Sequence, residues 1–512
     1  MYEAIRQIDT CIERGEFDIA EQLCHQTLRE LEACDQTTDY YVNLFTLAGL
    51  YTDLGHYARR DDLSHIGFEL MDANKEQLLS IIRADQFYYN YANAKSNLIS
   101  VEDPDNLTFH NIEEFIVVKN CYWKAFKESQ NNGDESLELL TNLANILKRQ
   151  LRLSEALRYY DYVLEKNPDI VQAMVNRSDA LKTLNMVSES YTIKMLREIA
   201  GGYRKASLLH PMWSEAFEYQ SNEAESLVAS FDFVEDDEED EHATSSEFDS
   251  LSDYRKFCIK EHLTLSEHAL YCGCIGSARD NLTIPLTQTS IGGDFVPKME
   301  LVLNRIKSEF SLARKNYYDY FHPSQDSCDL IHEECFSELF NGEILGLPVE
   351  KLRTSFRLCF GILDKIASGI CSLYDIGIDK NIYFQDFWRL DQENRREKFE
   401  SIKNPGLLAL YSIATDLNKH KDGEWAHFKE WRNALEHGLL IIVEDDVYFD
   451  PYETLSGSTD IVTVQLNDFI ALLKKLLQLT RCAIFSFVFA VRHEGLQTRN
   501  GISIPVTLGI KD

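Results

Sequence analysis

Proline and glycine are scarce in this chain, at 10 and 23 of 512 residues. Both residues punctuate turns, so their scarcity argues against a turn-rich β architecture and for long helices. Basic residues are also short, 51 against 84 acidic, which leaves a formal charge of −33. Affinity for phosphate backbones comes largely from Lys and Arg displacing counterions, so coating of nucleic acid or anionic membrane by the whole surface is excluded. A local, cleft-bound RNA or nucleotide site is not. Long apolar runs are missing too. The best, residues 482–491 (CAIFSFVFAV) between Arg481 and Arg492, is about half of the ~20 residues a spanning helix needs. It reads as a buried core helix, and no membrane partner is expected. Neither phosphate-loop fingerprint occurs, which argues against an ATP-driven machine. Residues 1–15 carry Glu3, Arg6, Asp9, Glu13 and Arg14 without an apolar stretch, so no secretory leader is expected. Twelve scattered cysteines then fit reduced thiols in a cytoplasm better than a disulfide framework.

The length predicts about two to four units of ~150 residues. The clearest local pattern is residues 135–168, where Leu140, Leu143, Ala144 and Leu147 form one helical stripe and Ala156, Tyr160 and Val163 another before Pro168. The spacing resembles a tetratricopeptide repeat. A second ending of this kind (Tyr203, Lys205, Ala206, Leu209, Pro211) lies 43 residues on, beyond the ~34-residue period, so an irregular array is expected over residues 1–230. Gly15 with Ala20, and Ala48, Tyr51 and Gly55, suggest further hairpins. Such stacks bury their faces only together, and their concave side suits a protein or peptide partner. Residues 232–253 hold eleven acidic residues and no Lys or Arg, the composition of a solvated linker, drawn here at 231–253. Residues 254–321 read as a helical connecting segment with a long amphipathic stretch at 296–321. His322-Pro323 then opens a last unit, 322–512.

Within that unit helices are predicted over about 348–374, from Asn404-Pro405-Gly406 onward, over about 424–440 and over about 462–491, as in a four- or five-helix bundle. The third contains HFKEWRNALEHG. Asn433 and His437 are four residues apart and share a face, while the long stem of Arg432 can bring its guanidinium to the same side. Imidazole exchanges protons near neutral pH, guanidinium clamps phosphate, and a carboxamide orients either. Together they suit activation of an RNA 2′-hydroxyl against its own phosphate without metal. An Arg followed by a His at similar spacing also occurs at Arg59 or Arg60 with His65, Arg204 with His210, and Arg255 with His262. None of these has Asn directly after Arg. The plain alternative is a surface helix with an Arg432–Glu436 pair, its apolar stripe made of Phe428, Trp431, Leu435 and Leu439.

The stretch Arg432-Asn-Ala-Leu-Glu-His437 resembles the signature of the HEPN superfamily, whose active members carry Arg, a polar residue often Asn, and a His. Around it, Leu363-Asp-Lys-Ile-Ala367 with Tyr374 resembles the first long HEPN helix, and Asn404-Pro with Leu410-Tyr411-Ser-Ile-Ala414 the helix before the motif. The order of segments is similar to HEPN proteins of bacterial defence that follow a tetratricopeptide-like region. The resemblance implies a metal-independent RNA endonuclease, dimeric, with two motifs facing each other across one cleft. It implies Arg432, Asn433 and His437 as the catalytic set, with Asp364 accessory.

The expected architecture is therefore all-α, a tetratricopeptide-like hairpin array followed by a C-terminal HEPN bundle. The expected function is a cytoplasmic toxin or antiviral defence effector that cleaves RNA under control of its N-terminal region. The alternative is a non-catalytic adaptor whose bundle dimerises or binds nucleotide or RNA. Basic residues suited to follow an RNA backbone are Arg395, Arg396 and Lys398, or Lys474, Lys475 and Arg481. No cofactor or metal is expected: His268, Cys272 and Cys274 match structural-zinc spacing poorly, and Cys328, His332 and Cys335 read as buried thiols beside a His. Residues 321–512 carry 20 basic against 29 acidic residues, so even the bundle attracts RNA weakly at long range.

Overall fold

The computed structural model describes residues 2–99, 106–188, 192–230, 245–284, 295–323, 343–377, 382–445 and 461–497. These form helices, with one small sheet of two strands among them. They divide into two compact units, Met1–Gln150 and Leu151–Asp512.

The first unit contains α1 (Tyr2–Glu13), α2 (Phe17–Glu32), α3 (Thr38–Ala58), α4 (Asp61–Ala73), α5 (Lys75–Ile81), α6 (Ala84–Asn97), α7 (Phe109–Asn131) and α8 (Leu137–Arg149). Neighbours in sequence pack on one another, α1 on α2, α3 on α4, α6 on α7 and α7 on α8. Local chemistry fixes several starts. The Thr37, Thr108 and Ser136 hydroxyls accept from backbone N–H groups of the first turn, and at Thr108 the Asn111 side chain reciprocates. Leu44, Leu47, Tyr51, Phe87, Ile112 and Phe115 are buried between the layers.

The second unit begins with α9 (Leu153–Lys166), α10 (Val171–Ser188), α11 (Ile193–Leu209) and α12 (Ser214–Ser230), continues through α13 (Ser245–Ser250) and α14 (Asp253–Lys260), and ends in α15 (Phe295–Phe321), α16 (Leu347–Leu373), α17 (Glu393–Ile402), α18 (Pro405–Asp416), α19 (His427–His437), β1 (Leu439–Val443), β2 (Ile461–Gln465) and α20 (Leu466–Gln497). The hairpin expected at 135–168 is thus α8 and α9, one in each unit. The segments drawn from sequence (1–230, 231–253, 254–321, 322–512) do not coincide with the two units, because α9 and α10 pack on α20. Residues 231–244, most of the expected linker, lie outside the described residues, as do Cys328, His332 and Cys335.

The core of this unit is built on α15, α16, α18 and α20. Residues 482–491 are buried on every side, as an all-round apolar helix requires. Arg481 and Arg492, which flank that run, are buried as well. Arg481 Nε donates to the Thr264 carbonyl at 2.7 Å, and Arg492 Nη2 to the Thr283 carbonyl at 2.6 Å. With Arg314, whose guanidinium holds Asp280 and the Leu263 carbonyl, they clamp the strap of residues 261–284 onto the helices.

Pro405 occupies the first turn of α18, and the Asn404 side chain caps it, accepting from the Leu407 N–H at 3.2 Å. The same amide donates to the Tyr374 hydroxyl (2.9 Å) and the Ala490 carbonyl (2.8 Å), joining three helices through one buried residue. Asn404→Ala is expected to lower the unfolding free energy by roughly 2–3 kcal/mol, a lost cap plus orphaned buried partners, measurable by urea denaturation. One step on, a Cβ on Gly406 would sit 2.5 Å from the Ala490 nitrogen and 2.6 Å from the Ser486 carbonyl oxygen, so α18 and α20 approach closely enough there to require glycine.

The expected helix over 424–440 is shorter than its stripe. α19 ends at His437, and Leu439 is 58 % exposed at the start of β1 rather than the last rung of a helix face. β1 pairs in parallel with β2, Leu439 opposite Ile461 and Val443 opposite Gln465. The β-branched residues Ile441, Ile442, Val443, Ile461, Val462 and Val464 account for the switch. The expected start of the last helix near 462 likewise moves to Leu466.

Candidate functional site

α19 is held by aromatic packing. Phe428 meets Phe356 of α16 edge to face at 5.6 Å, and Trp431 stacks on Phe469 of α20 at the same separation. Gly423 sets its entry, since a Cβ there would lie 2.3 Å from the Thr415 carbonyl oxygen. On this anchored helix Arg432 turns inward and is partly buried, whereas Asn433 and His437 are exposed. Arg432 Nη2 donates to Asp364 Oδ2 at 3.0 Å, and the guanidinium lies over the rings of Tyr383 (5.0 Å) and Phe360 (5.6 Å). Asp364, on α16, accepts from the Phe384 N–H at 2.9 Å through its other oxygen. Burial pushes the Asp364 carboxyl above its usual value, with the Phe384 N–H and Arg432 pulling the other way. The cation of the motif is thus braced from α16, 68 residues earlier, rather than paired with Glu436 in the next turn. One of five guanidinium donors makes the Asp364 bond.

The other cations near the motif are also matched. Lys429 bonds Asp386 at 2.9 Å and Lys419 bonds Glu430 at 3.3 Å. Next to Asp386 opens a cavity of about 320 Å³ lined by Gln385, Trp388, Arg389, Tyr411, His420 and Lys421 among others. Gln385 is 3 % exposed, and neither end of its carboxamide has a hydrogen-bond partner. Sequence reasoning missed this residue. A single Gln in an aromatic loop carries no spacing signal.

The residues expected to follow an RNA backbone have other work. Arg395 donates to the Gly377, Phe387 and Trp388 carbonyls, Arg396 to that of Leu390, and Lys398 to that of Asp375. Lys474 pairs with Glu261. Arg481, at 3 % exposure, lies inside the core and away from any surface path. These side chains staple loops, and main-chain carbonyl partners leave no trace in a charge pattern. Arg158, Lys474 and Arg481 instead form a cationic surround that raises the cost of charge on His262, and Arg158 and Lys474 do the same for Lys475. Burial, then Arg158 and Lys474, brings the Lys475 amine down to about 7. Burial, then Arg481, Arg158 and Lys474, brings the His262 imidazole down to about 3.

That depression has a sign. The folded value lies below the unfolded value of about 6.5, so neutral His262 contributes stability that is fully present above about pH 6.5 and is lost as pH falls toward 3. Urea midpoints should fall as the buffer is taken from about pH 7.5 to about pH 5, and His262→Asn should flatten the slope there. Asn tolerates the left-handed backbone at this position, where φ is 53°. An unchanged slope in the variant would assign it to other groups.

Residues 292–494 match the family model described as LA2681-like HEPN. The chain therefore carries an LA2681-like HEPN domain, C-terminal to a helical region. HEPN is a class that includes ribonucleases. No curated protein matches the chain. The match begins some 30 residues before the boundary drawn at 322, and so takes in α15. α15 packs along α16, with Ser355 Oγ donating to the Ala313 carbonyl at 2.9 Å and Lys365 pairing with Glu309 at 2.9 Å. It is part of the bundle rather than a connector. No helix of the described residues is long and apolar enough to cross a membrane.

Proposed function

We propose that the HEPN domain is a metal-independent RNA endonuclease acting at the C-terminal half of α19 through Arg432, Asn433 and His437, and that the whole chain is a toxin or defence effector governed by its N-terminal helices. One observation carries the reading: an Arg braced by an acidic residue of a neighbouring helix, on the same short helix as an exposed Asn and His. His437 takes the proton of a ribose 2′-hydroxyl, and that oxygen attacks the adjacent phosphorus. The bond to the 5′-oxygen breaks, leaving a 2′,3′-cyclic phosphate on one fragment and a 5′-hydroxyl on the other. Arg432 stabilises charge on the phosphoryl oxygens, and Asn433 orients the phosphate or the imidazole. Asp364 is a positioning residue that keeps the guanidinium from swinging away.

The leaving oxygen needs a proton while the base has just gained one. A second copy, its own α19 facing the first across a shared cleft, supplies a second imidazole and guanidinium, so a homodimer is part of the proposal. The paired cations around the motif and the acidic charge of the bundle make background RNA binding weak. Its salt dependence should therefore be shallow, reflecting few displaced counterions. The test is incubation of purified chain with varied single-stranded RNAs in EDTA, which should yield fragments, with arrested growth on expression in cells. Intact RNA and unimpaired growth would favour the second reading, an adaptor that binds nucleotide without cutting. The cavity between residues 385–391 and α18, with its unpartnered Gln385 carboxamide and aromatic walls, is the observation on that side.

A further inference from the structure

The strap between α14 and α15 gathers three soft-metal donors. His268 lies in a short 3-10 turn, Cys272 and Cys274 follow it, and one ligand atom from each lies within 4.8 Å of the other two. His268 Nε2 is 2.9 Å from Cys274 Sγ. Its other ring nitrogen, Nδ1, faces the Tyr271 hydroxyl at 3.2 Å, and that hydroxyl also meets Thr192 Oγ1 at 3.0 Å on the first turn of α11. Tyr271 is buried, and its carbonyl accepts from Arg177 Nη2 of α10 at 3.3 Å. A ligating imidazole is usually oriented by a hydrogen bond at its second nitrogen, and here that bond is already made. The two cysteines, separated by Gly273, put both sulfurs on the side of the turn that His268 occupies. The linear spacing His-x-x-x-Cys-x-Cys matches no usual zinc pattern, so only the folded turn reveals the donor set.

We propose that His268, Cys272 and Cys274 bind one zinc ion. Zinc takes thiolate sulfur at about 2.3 Å and imidazole nitrogen at about 2.0 Å in a tetrahedron, which sets ligand atoms some 3.5–4 Å apart; here His268 Nε2 and Cys274 Sγ are 2.9 Å apart and no pair exceeds 4.8 Å, so the ion would push the first pair slightly open. Binding releases the two thiol protons to solvent and leaves His268 neutral, coordinated through Nε2. Among the described residues no fourth His, Cys, Asp or Glu joins the group, and all three donors are only partly buried. Water takes the fourth position. Thiolate pairs with imidazole select zinc over calcium or magnesium, which require oxygen donors. Because Tyr271 is tied to α10 and α11 while the rest of the strap is clamped by Arg314, Arg481 and Arg492, the ion stabilises the strap within the second unit. The inference does not rest on the nuclease reading. The site is remote in sequence from α19, and its loss leaves the catalytic residues in place.

The test uses the full chain, stripped of metal by chelator under a thiol-free reductant and titrated with cobalt(II), then zinc(II). One equivalent of cobalt should give a thiolate-to-metal charge-transfer band in the near ultraviolet and intense tetrahedral d–d bands in the visible, and one equivalent of zinc should bleach both. Cys272→Ser and Cys274→Ser should each remove the charge-transfer intensity or weaken it several-fold. Tyr271→Phe, which keeps the ring but frees Nδ1, should weaken zinc affinity about tenfold. No bands with wild-type protein, or identical bands in both Cys→Ser variants, would overturn the proposal. So would a Cys272–Cys274 disulfide that, once reduced, yields thiols with no cobalt signal. Because the wild-type titration decides by itself, a variant that fails to fold does not rescue the idea.

Discussion

Replacing Arg152 with Ala should lower the unfolding free energy of the second unit by about 3–5 kcal/mol, the range for breaking a buried ion pair from one side. Arg152 is 2 % exposed. Its guanidinium forks onto Glu155, Nε to Oε2 at 2.7 Å and Nη2 to Oε1 at 2.9 Å, and Nη1 reaches Asp416 Oδ2 at 2.5 Å. Asp416 closes α18, so one side chain at the head of α9 fastens the helical region of this unit to the HEPN bundle. Removing it leaves the buried Asp416 and the partly buried Glu155 without the cation they share. Burial alone would raise the Glu155 carboxyl, but the charge and hydrogen bonds of Arg152, with help from Arg158, hold it below its ordinary value. A depressed folded value means stability that is present above the unfolded value of about 4.5 and lost as pH falls through the folded one. Wild-type protein should therefore lose stability steeply below about pH 4.5, and Arg152→Ala should lose much of that acid sensitivity with the pair. Arg152→Met, which fills the space without the charge, combined with Glu155→Gln and Asp416→Asn, should recover part of the loss, since apolar replacement of a whole buried network is often tolerated. A loss under about 1 kcal/mol in Arg152→Ala would show that the triad is solvated in solution.

His437→Ala should reduce RNA cleavage by about 10²–10⁴-fold, the usual span for a positioned general acid or base. Arg432→Ala should reduce it by about 10²–10³-fold through lost stabilisation of phosphoryl charge. The two differ in their effect on the fold. His437 is exposed at the last turn of α19, so its loss should leave the melting curve unmoved. Arg432 is packed between Tyr383 and Phe360 and braces Asp364, so its loss should cost some stability as well. Arg432→Lys keeps a charge but not the fork or the stacking plane, and should rescue little activity. Asp364→Asn keeps the acceptor for the Phe384 N–H and removes the charge that braces Arg432. If Asp364 positions rather than reacts, its variant should lower kcat by a smaller factor and leave the pH profile of the remaining activity unchanged. Full activity in His437→Ala would remove this half of α19 from the chemistry.

Much of the bundle is legible in the sequence because its signals are local. Asn404-Pro405 announces α18 by cap and first-turn proline, and the stripe Leu352, Phe356, Cys359, Phe360 and Leu363 predicts α16 to within a residue at each end. The motif on α19 is legible for the same reason, as three polar residues within six positions. What was missed depends on distance or on the main chain. The Asp364–Arg432 bond spans 68 residues, and only the family resemblance pointed to Asp364. α15 reads as a connector because an amphipathic stripe does not say which core it faces. The stripe through Leu435 and Leu439 predicted helix across Gly438, although Ile441-Ile442-Val443 carried the opposite signal. Arg395, Arg396 and Arg481 looked like a basic track, yet they are loop staples, since their carbonyl partners are invisible in a one-letter sequence. The His268, Cys272 and Cys274 group matches no regular zinc spacing, and only the turn brings its side chains together.

The most direct measurement uses a DNA oligonucleotide carrying a single ribonucleotide, incubated with the purified chain in EDTA while circular dichroism confirms that the fold persists. Attack by a 2′-hydroxyl on its own phosphate predicts one cut, immediately 3′ of the ribonucleotide, with a 2′,3′-cyclic phosphate on one fragment and a 5′-hydroxyl on the other. The all-deoxy strand should stay whole, and His437→Ala should leave both intact. Cleavage of the all-deoxy strand, or a 5′-phosphate at the cut, would contradict the mechanism assigned to Arg432, Asn433 and His437.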